Sequence, residues 1–422
     1  MSGDQTQLVA ALQATLSADA TARSSAEQFL AARSATDNFS LQLLQLAAQD
    51  AADGMTRQCA AVAFKNVVKK HWAPVEPDEV GAQAPRETPE SEKAAVRGAI
   101  VGLMLRAPKL VAAQMSEALS IICTSDFPER WSGLLPELVT RLGTAGGRDF
   151  NDVAGVLRTA NTIFKRYRGA TKTEELYKEL KYVLDTFTAP LLGLTQEISA
   201  ALDASGADAA QAAPLLQCLR LICRIFFSLN SQELPEVFED AMADWMGLFH
   251  KFLTYASPAG LASSDAEKAS EADQLKAAVC DNINLYIEKN EEEFAPYLQT
   301  FVQDVWTLLM ATDLATNRDH LVTSGVKFLT TVASSVHHKL FESPDTLRQV
   351  CENIILPNLQ FRDDDEELFS DNHVEYIRRD LEGSDADTRR RGACELVKAL
   401  TAKFPQHVTT AITGYVASLL QQ

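Results

Sequence analysis

Basic residues are in short supply. The 422-residue chain carries 39 Lys and Arg against 57 Asp and Glu, a formal net charge of −18. Direct nucleic-acid binding is disfavoured, because phosphate contacts need clustered Lys and Arg. The same balance favours solubility and attraction to basic proteins. No CxxC pair occurs among the seven cysteines, Cys59, Cys123, Cys218, Cys223, Cys280, Cys351 and Cys394. They are scattered, odd in number and set in apolar helical contexts, which argues against a disulfide framework. They are expected to be reduced thiols buried as small hydrophobes. No GxxxxGK[ST], GxGxxG, HExxH or GxSxG motif is present, so an enzyme finds no support. His337 and His338 are neighbours, and adjacent residues on a helix point apart, so they make a poor metal site. Carboxylate pairs abound in so acidic a chain and carry no information about acid–base chemistry. Long apolar runs are also lacking. The most apolar window, Leu215–Leu229, is interrupted by Arg220 and Arg224 and is too short to span a bilayer. Met1–Leu16 has neither the basic nor the apolar region of a signal peptide. A soluble protein is expected.

Helical periodicity is what the chain does have, and strand-like alternation is hard to find. Leu176, Tyr177, Leu180, Val183, Leu184, Phe187, Leu191 and Leu194 follow the three-and-four spacing of one helix face. Leu215, Leu216, Leu219, Ile222, Cys223, Phe226 and Phe227 repeat it, as do Leu298, Phe301, Val302, Val305, Leu308 and Leu309, and then Val326, Leu329, Val332 and Val336. Start signals punctuate the pattern: Thr88–Pro89, Asp126 with Pro128, Thr171, Ser231 with Pro235, and Ser343–Pro344. They recur on the scale of a helix pair. Stacked pairs of about 40–47 residues are the signature of HEAT or armadillo arrays. The expected class is all-α, a right-handed superhelical HEAT-repeat solenoid of armadillo-like type. Polar connectors are expected at Ala73–Glu92, Gly143–Asp149, Asp203–Ala213 and Ser257–Asp273.

One stretch breaks the pattern. Asp363, Asp364, Asp365, Glu366 and Glu367 form an acidic pentad, followed by Arg389–Arg391 at the start of the next helix. Five like charges repel and must stay solvated, so the pentad reads as an exposed insert between helices. It is either a solvated loop or an acidic element that meets basic partners or sets the curvature of the array. Arg378, Arg379, Arg389, Arg390 and Arg391 suit ladders of acid–base pairs with neighbouring repeats.

Five segments carry a family resemblance. AVAFKNVVKKHW (Ala61–Trp72) resembles the N-terminal repeat of the importin-β superfamily, and SDFPERWSGLL (Ser125–Leu135) resembles its DFP-x-x-W-x-x-L-L segment. LRTANTIFKRYR (Leu157–Arg168), ELYKELKYVLDTFTAP (Glu175–Pro190) and EELFSDNHVEYIRRDLEGSDADTRRRGA (Glu366–Ala393) are similar to the CAS-type exportins within it. The resemblance runs through the whole chain, whereas members are roughly twice as long, so the C-terminal arch is expected to be missing. It implies a receptor that binds Ran-GTP and importin-α together in the nucleus and returns importin-α to the cytoplasm. It also implies FG-nucleoporins as partners, shuttling through the nuclear pore, and no cofactor. Its segments are 1–94, the Ran-binding end; 95–361, further repeats; 362–375, the acidic insert; and 376–422, later repeats. The alternatives are a Ran-independent HEAT scaffold and another transport receptor of the superfamily.

The resemblance places Lys65, Asn66, Lys69 and Lys70 against Ran-GTP. The bland reading is a solvated basic helix end that complements the helix dipole. Phe64, Val67 and Val68 suit the core by their spacing. Asp126, Phe127, Pro128 and Trp131 suit a helix start, with Asp126 capping and Trp131 packing.

Overall fold

The computed structural model describes residues 3–73, 86–143, 149–258, 261, 267–380 and 388–419. The expected connectors at 73–92, 143–149 and 257–273 fall partly outside these residues, as does the 381–387 stretch after the acidic insert. The chain divides into two compact units, Met1–Phe187 and Thr188–Gln422. Among the described residues every regular element is a helix.

The first unit contains α1 (Gly3–Ala14), α2 (Ala20–Ser34), α3 (Phe39–Ala48), α4 (Gly54–His71), α5 (Glu90–Arg106), α6 (Lys109–Asp126), α7 (Leu134–Leu142) and α8 (Phe150–Phe164). It also takes the opening turns of α9 (Glu174–Ser205). Successive helices pair, α3 with α4, α5 with α6 and α7 with α8. One layer is built by α4, α6 and α8 side by side, and α3 packs on α5 in the other. Each helix covers the face its predecessor leaves open, as in a repeat array.

The second unit continues with α10 (Ala209–Asn230), α11 (Glu236–Asp240), α12 (Met242–Thr254), α13 (Glu271–Lys289), α14 (Glu291–Ala311), α15 (Asp319–Ser334), α16 (Pro344–Val350), α17 (Leu356–Leu359), α18 (Asp363–Asp380), α19 (Arg389–Lys403) and α20 (Pro405–Leu419). Here α10, α13, α15 and α19 pack in succession, and α12, α14 and α20 lie outside them. Buried carboxamides fix the register of this inner layer. Asn282 Nδ2 donates to the Cys223 carbonyl at 3.0 Å, and Asn284 Nδ2 to that of Ser324 at 2.9 Å. Tyr286 donates its hydroxyl to Asn230 at 3.0 Å. The aromatic centre is Phe226, ringed by Phe238, Trp245 and Phe249.

The periodic stripes are mostly buried, with exceptions at their margins. Tyr177 and Val336 are exposed; α15 ends at Ser334, so Val336 has left the helix whose face its spacing continues. The apolar window at 215–229 belongs to a longer helix, α10, whose 22 residues are long and apolar enough to cross a bilayer. Two-thirds of its apolar window (67%) is buried inside the protein, largely against α13, as a core helix requires. Five cysteines are buried, Cys59 is half-buried and Cys394 is exposed. Burial pushes the Cys123 thiol up to about 12 and that of Cys351 to about 11, so both stay protonated and pack as small apolar groups.

The side-chain caps lie elsewhere than the expected start signals: Asp19, Asp53, Asp149, Asp208, Ser270 and Thr388 cap their helices with side-chain bonds, whereas Pro89 and Pro235 stand at the starts of α5 and α11 without one, and Ser231 follows the end of α10. Ser343 stands at the start of α16 with Pro344 in the first turn, as expected, but makes no side-chain cap. Asp126 is no cap: it ends α6, fully buried, and accepts from Arg97 Nη1 at 2.6 Å and Trp72 Nε1 at 3.1 Å. The start of α3 is capped from outside its own repeat. Glu92 of α5 accepts from the Asn38 amide at 2.7 Å, the Ser40 amide at 2.8 Å and the Ser40 hydroxyl at 2.5 Å.

Candidate functional sites on α4 and α18

Helix α4 is cationic throughout. It carries Arg57, Lys65, Lys69 and Lys70 and no Asp or Glu. Its start is fixed by Asp53, which accepts from the Thr56 hydroxyl at 2.7 Å and amide at 2.9 Å; these bonds hold its carboxyl below the ordinary range. Its end is fixed by His71, buried, with Nδ1 at 2.8 Å from the Arg86 carbonyl and Nε2 at 3.2 Å from the Ser34 hydroxyl. Phe64 and Val68 are core, whereas Val67 is half-buried and lines a groove.

The four basic-end candidates do not form one cluster. Residues four apart share a helix face, and adjacent residues do not. Lys65 leans toward α6, with its ammonium 3.0 Å from Glu117. Lys69, four residues on, is exposed. Asn66 and Lys70 face the other way and line the groove between α2 and α4. A partner covering all four must therefore straddle the crest of α4.

In the second unit the acidic pentad is a helix start rather than a loop. Asp363–Glu367 forms the first turns of α18, where carboxylates complement the helix dipole. Asp363, Asp364, Glu366 and Glu367 are exposed. Asp365 departs from the expectation that the whole pentad stays solvated: it is 2% exposed. It accepts from the Arg362 amide at 3.1 Å, Arg362 Nε at 3.3 Å and Arg390 Nη2 at 3.1 Å. Burial alone would raise its carboxyl. The Arg362 amide and guanidinium, then Arg390, outweigh burial and hold it below the ordinary range.

A second aspartate extends this clasp. Asp319, at the start of α15, receives Arg362 Nη1 at 2.8 Å, Arg362 Nη2 at 3.1 Å and Arg389 Nε at 2.6 Å. Arg389 also donates to the carbonyls of Asp313 at 2.8 Å and Ala315 at 2.7 Å. Arg390 lies over the rings of Phe361 and Tyr376 and donates to the Tyr376 hydroxyl. The pairing expected of Arg389 and Arg390 is thus in place, tying α15, α18 and α19 together. Arg378 is exposed, and the Arg379 side chain lies outside the described residues. Helix α18 breaks at Asn372, whose backbone is non-helical and whose Oδ1 accepts from the Glu375 amide at 3.1 Å.

Two family models match this chain. That of the importin-β N-terminal domain covers residues 26–106, which contain α4, and that of Cse1 covers residues 163–422, which contain the clasp. The chain belongs to the Cse1 family. Exportin-2 of Oreochromis niloticus is 44% identical over 412 residues, spanning 97% of this chain and 41% of that protein. Exportin-2 of Homo sapiens is 43% identical over the same shares. Among solved structures, the exportin Cse1 in its cargo-free, cytoplasmic state superposes with a TM-score of 0.89 at 33% identity. It covers 100% of this chain and 44% of that one. The chain therefore spans less than half the length of the relatives it matches. The Cse1-family fold also accounts for the helix-pair stacking of both units.

Proposed function

We propose that this chain serves as the N-terminal portion of a nuclear export receptor that binds Ran-GTP and importin-α cooperatively in the nucleus and carries importin-α to the cytoplasm. The reading rests on one observation, the 43–44% identity to Exportin-2 over 97% of the chain. In this reading Lys65, Asn66, Lys69 and Lys70 meet Ran-GTP within segment 1–94. Asp363, Asp364, Glu366 and Glu367 of segment 362–375 meet a basic stretch of importin-α, or act as a hinge with Asp365 as its anchor. Segments 95–361 and 376–422 supply the remaining repeats, and FG-nucleoporins carry the complex through the pore. GTP is hydrolysed on Ran, and the chain itself performs no chemistry. Because each repeat touches only its neighbours, small rotations at successive interfaces accumulate into a large change of grip. Cooperativity is then linkage: Ran-GTP raises the affinity for importin-α by the factor that importin-α raises the affinity for Ran-GTP.

The test is titration of the chain with Ran loaded with a non-hydrolysable GTP analogue or with GDP, with and without importin-α. GTP-selective binding strengthened by importin-α is expected. Selectivity without that strengthening would restrict the chain to Ran recognition. Loss of nucleotide selectivity in a folded chain would favour a Ran-independent HEAT scaffold.

A further inference from the structure

Beside the clasp, α18 leaves an aromatic cluster open to solvent. Phe361, just before the helix, and Phe369 within it are 54% and 46% exposed. Tyr376 stands between them: its ring centre lies 5.8 Å from that of Phe361 and 5.5 Å from that of Phe369. The cluster already seats one guanidinium. Arg390 lies 5.8 Å from the centre of the Phe361 ring and 5.6 Å from that of Tyr376, and its Nη2 donates to the buried Asp365 carboxylate at 3.1 Å. Two rings and one carboxylate thus hold a planar cation. The outer half of the cluster has the same elements, and among the described residues no cation of the chain lies over it. Phe369 meets the rings of His373 and Tyr376 at steep angles, 62° and 90°. Glu366, exposed, stands three residues before Phe369 on the same helix face.

We infer that Phe369, with Glu366 beside it, takes an arginine side chain from the basic segment that meets α18, and so makes this surface prefer arginine to lysine. The inference rests on the proposed reading that the carboxylates of α18 meet a basic stretch, and it names the side chain that the stretch presents. Charge selects a cation. Asp363, Asp364, Glu366, Glu367, Asp371 and Glu375 are exposed on α18, against one exposed basic side chain among the described residues of the helix, Arg378. None of those six carboxylates has an ion pair among the described residues. The ring then selects between the two kinds of cation. A guanidinium is planar and weakly hydrated, so it stacks on an aromatic face while its N–H groups reach a carboxylate. An ammonium is compact and strongly hydrated, and gains less from the ring. The Arg390 seat shows that the rings and carboxylates of this part of the chain accommodate that geometry.

The probes are a fluorescein-labelled glycine–serine peptide with arginine at every third position and its lysine twin, titrated against the full chain at low salt. The arginine peptide should bind more tightly. Phe369→Leu, which keeps an apolar side chain but removes the ring, should weaken the arginine peptide about two- to fivefold. The lysine twin should lose less, so the preference shrinks. Phe369→Trp should restore the arginine preference, because indole is the strongest cation–π partner; a merely structural role for Phe369 would not give that rescue. In variants with unchanged circular dichroism, an arginine preference indifferent to Phe369→Leu would overturn the inference, as would a tryptophan variant no better than the leucine one. Changing Asp363, Asp364, Glu366 and Glu367 to Ser separates the two readings. If both peptides bind alike and weaken alike in that variant, the carboxylates meet basic segments by charge alone and the arginine preference is refuted. A chain that binds neither peptide overturns both readings.

Discussion

Replacing Asp365 with Ala should loosen α18 from α15 and α19 while leaving the rest of the chain folded. Removing one partner of a buried ion pair costs about 3–5 kcal/mol, chiefly because the other charge is stranded. Here the loss is partly cushioned. Arg362 keeps its two bonds to Asp319, and Arg390 keeps its aromatic stack. Their side chains are also 15% and 21% exposed, so water reaches them. We expect about 2 kcal/mol, or roughly thirtyfold in an opening equilibrium. A global melting curve is a poor reporter, because repeat arrays need not unfold in one step. Amide hydrogen exchange over residues 363–380 reads the local opening directly. Exchange there should quicken roughly thirtyfold in Asp365→Ala and hardly at all in Asp364→Ala, whose side chain is exposed. Equal behaviour of the two variants would refute the clasp. The pH dependence has a definite sign. The folded Asp365 carboxyl sits below its ordinary value of 3.8. Its contribution is therefore complete above about pH 4 and disappears only as pH falls through the folded value.

Three further outcomes follow from the same geometry. Glu92→Ala removes three acceptor bonds from the start of α3 and should cost about 2 kcal/mol in denaturant titration, with Glu92→Gln milder because an amide oxygen still accepts. Lys65→Glu with Lys69→Glu should weaken Ran-GTP binding with under about 1 kcal/mol lost in stability, since the Lys65–Glu117 pair is at the surface; a large fall in melting temperature would make these lysines structural. Changing Asp363, Asp364, Glu366 and Glu367 to Ser, with Asp365 kept, should weaken importin-α binding and flatten its salt dependence. Unchanged affinity at low salt would remove the partner-binding role of the insert.

Helix identity was legible because it is a local signal: residues three and four apart carry it. Charge roles were harder, since a side chain's partner can lie far along the chain. Asp126, with Pro128 two residues on, satisfies the rule for a cap, yet Arg97, 29 residues earlier, claims its carboxylate. In the pentad, four residues behave as repelling charges should, while the middle one is claimed by Arg390, 25 residues later. The spacing of Lys65, Asn66, Lys69 and Lys70 implies two faces from helical geometry alone, but only the packed α6 and the open groove say what each face meets. Glu92 gave no local sign of capping α3, being 52 residues from Ser40.

That last bond has a consequence for how the chain is made and divided. Emerging from the ribosome N-terminus first, α3 is complete long before Glu92 is synthesised, and until then its opening amides have only water to bond. The second repeat is thus finished by the third, and the array gains order with a lag of one repeat behind synthesis. The same holds for protein engineering. A cut between Arg86 and Pro89 severs none of the described helices, yet it leaves α3 without its cap. A boundary at residue 94 keeps the cap by two positions, so fragments ending on either side of Glu92 should differ in the protection of α3 even though every helix up to α4 is intact in both.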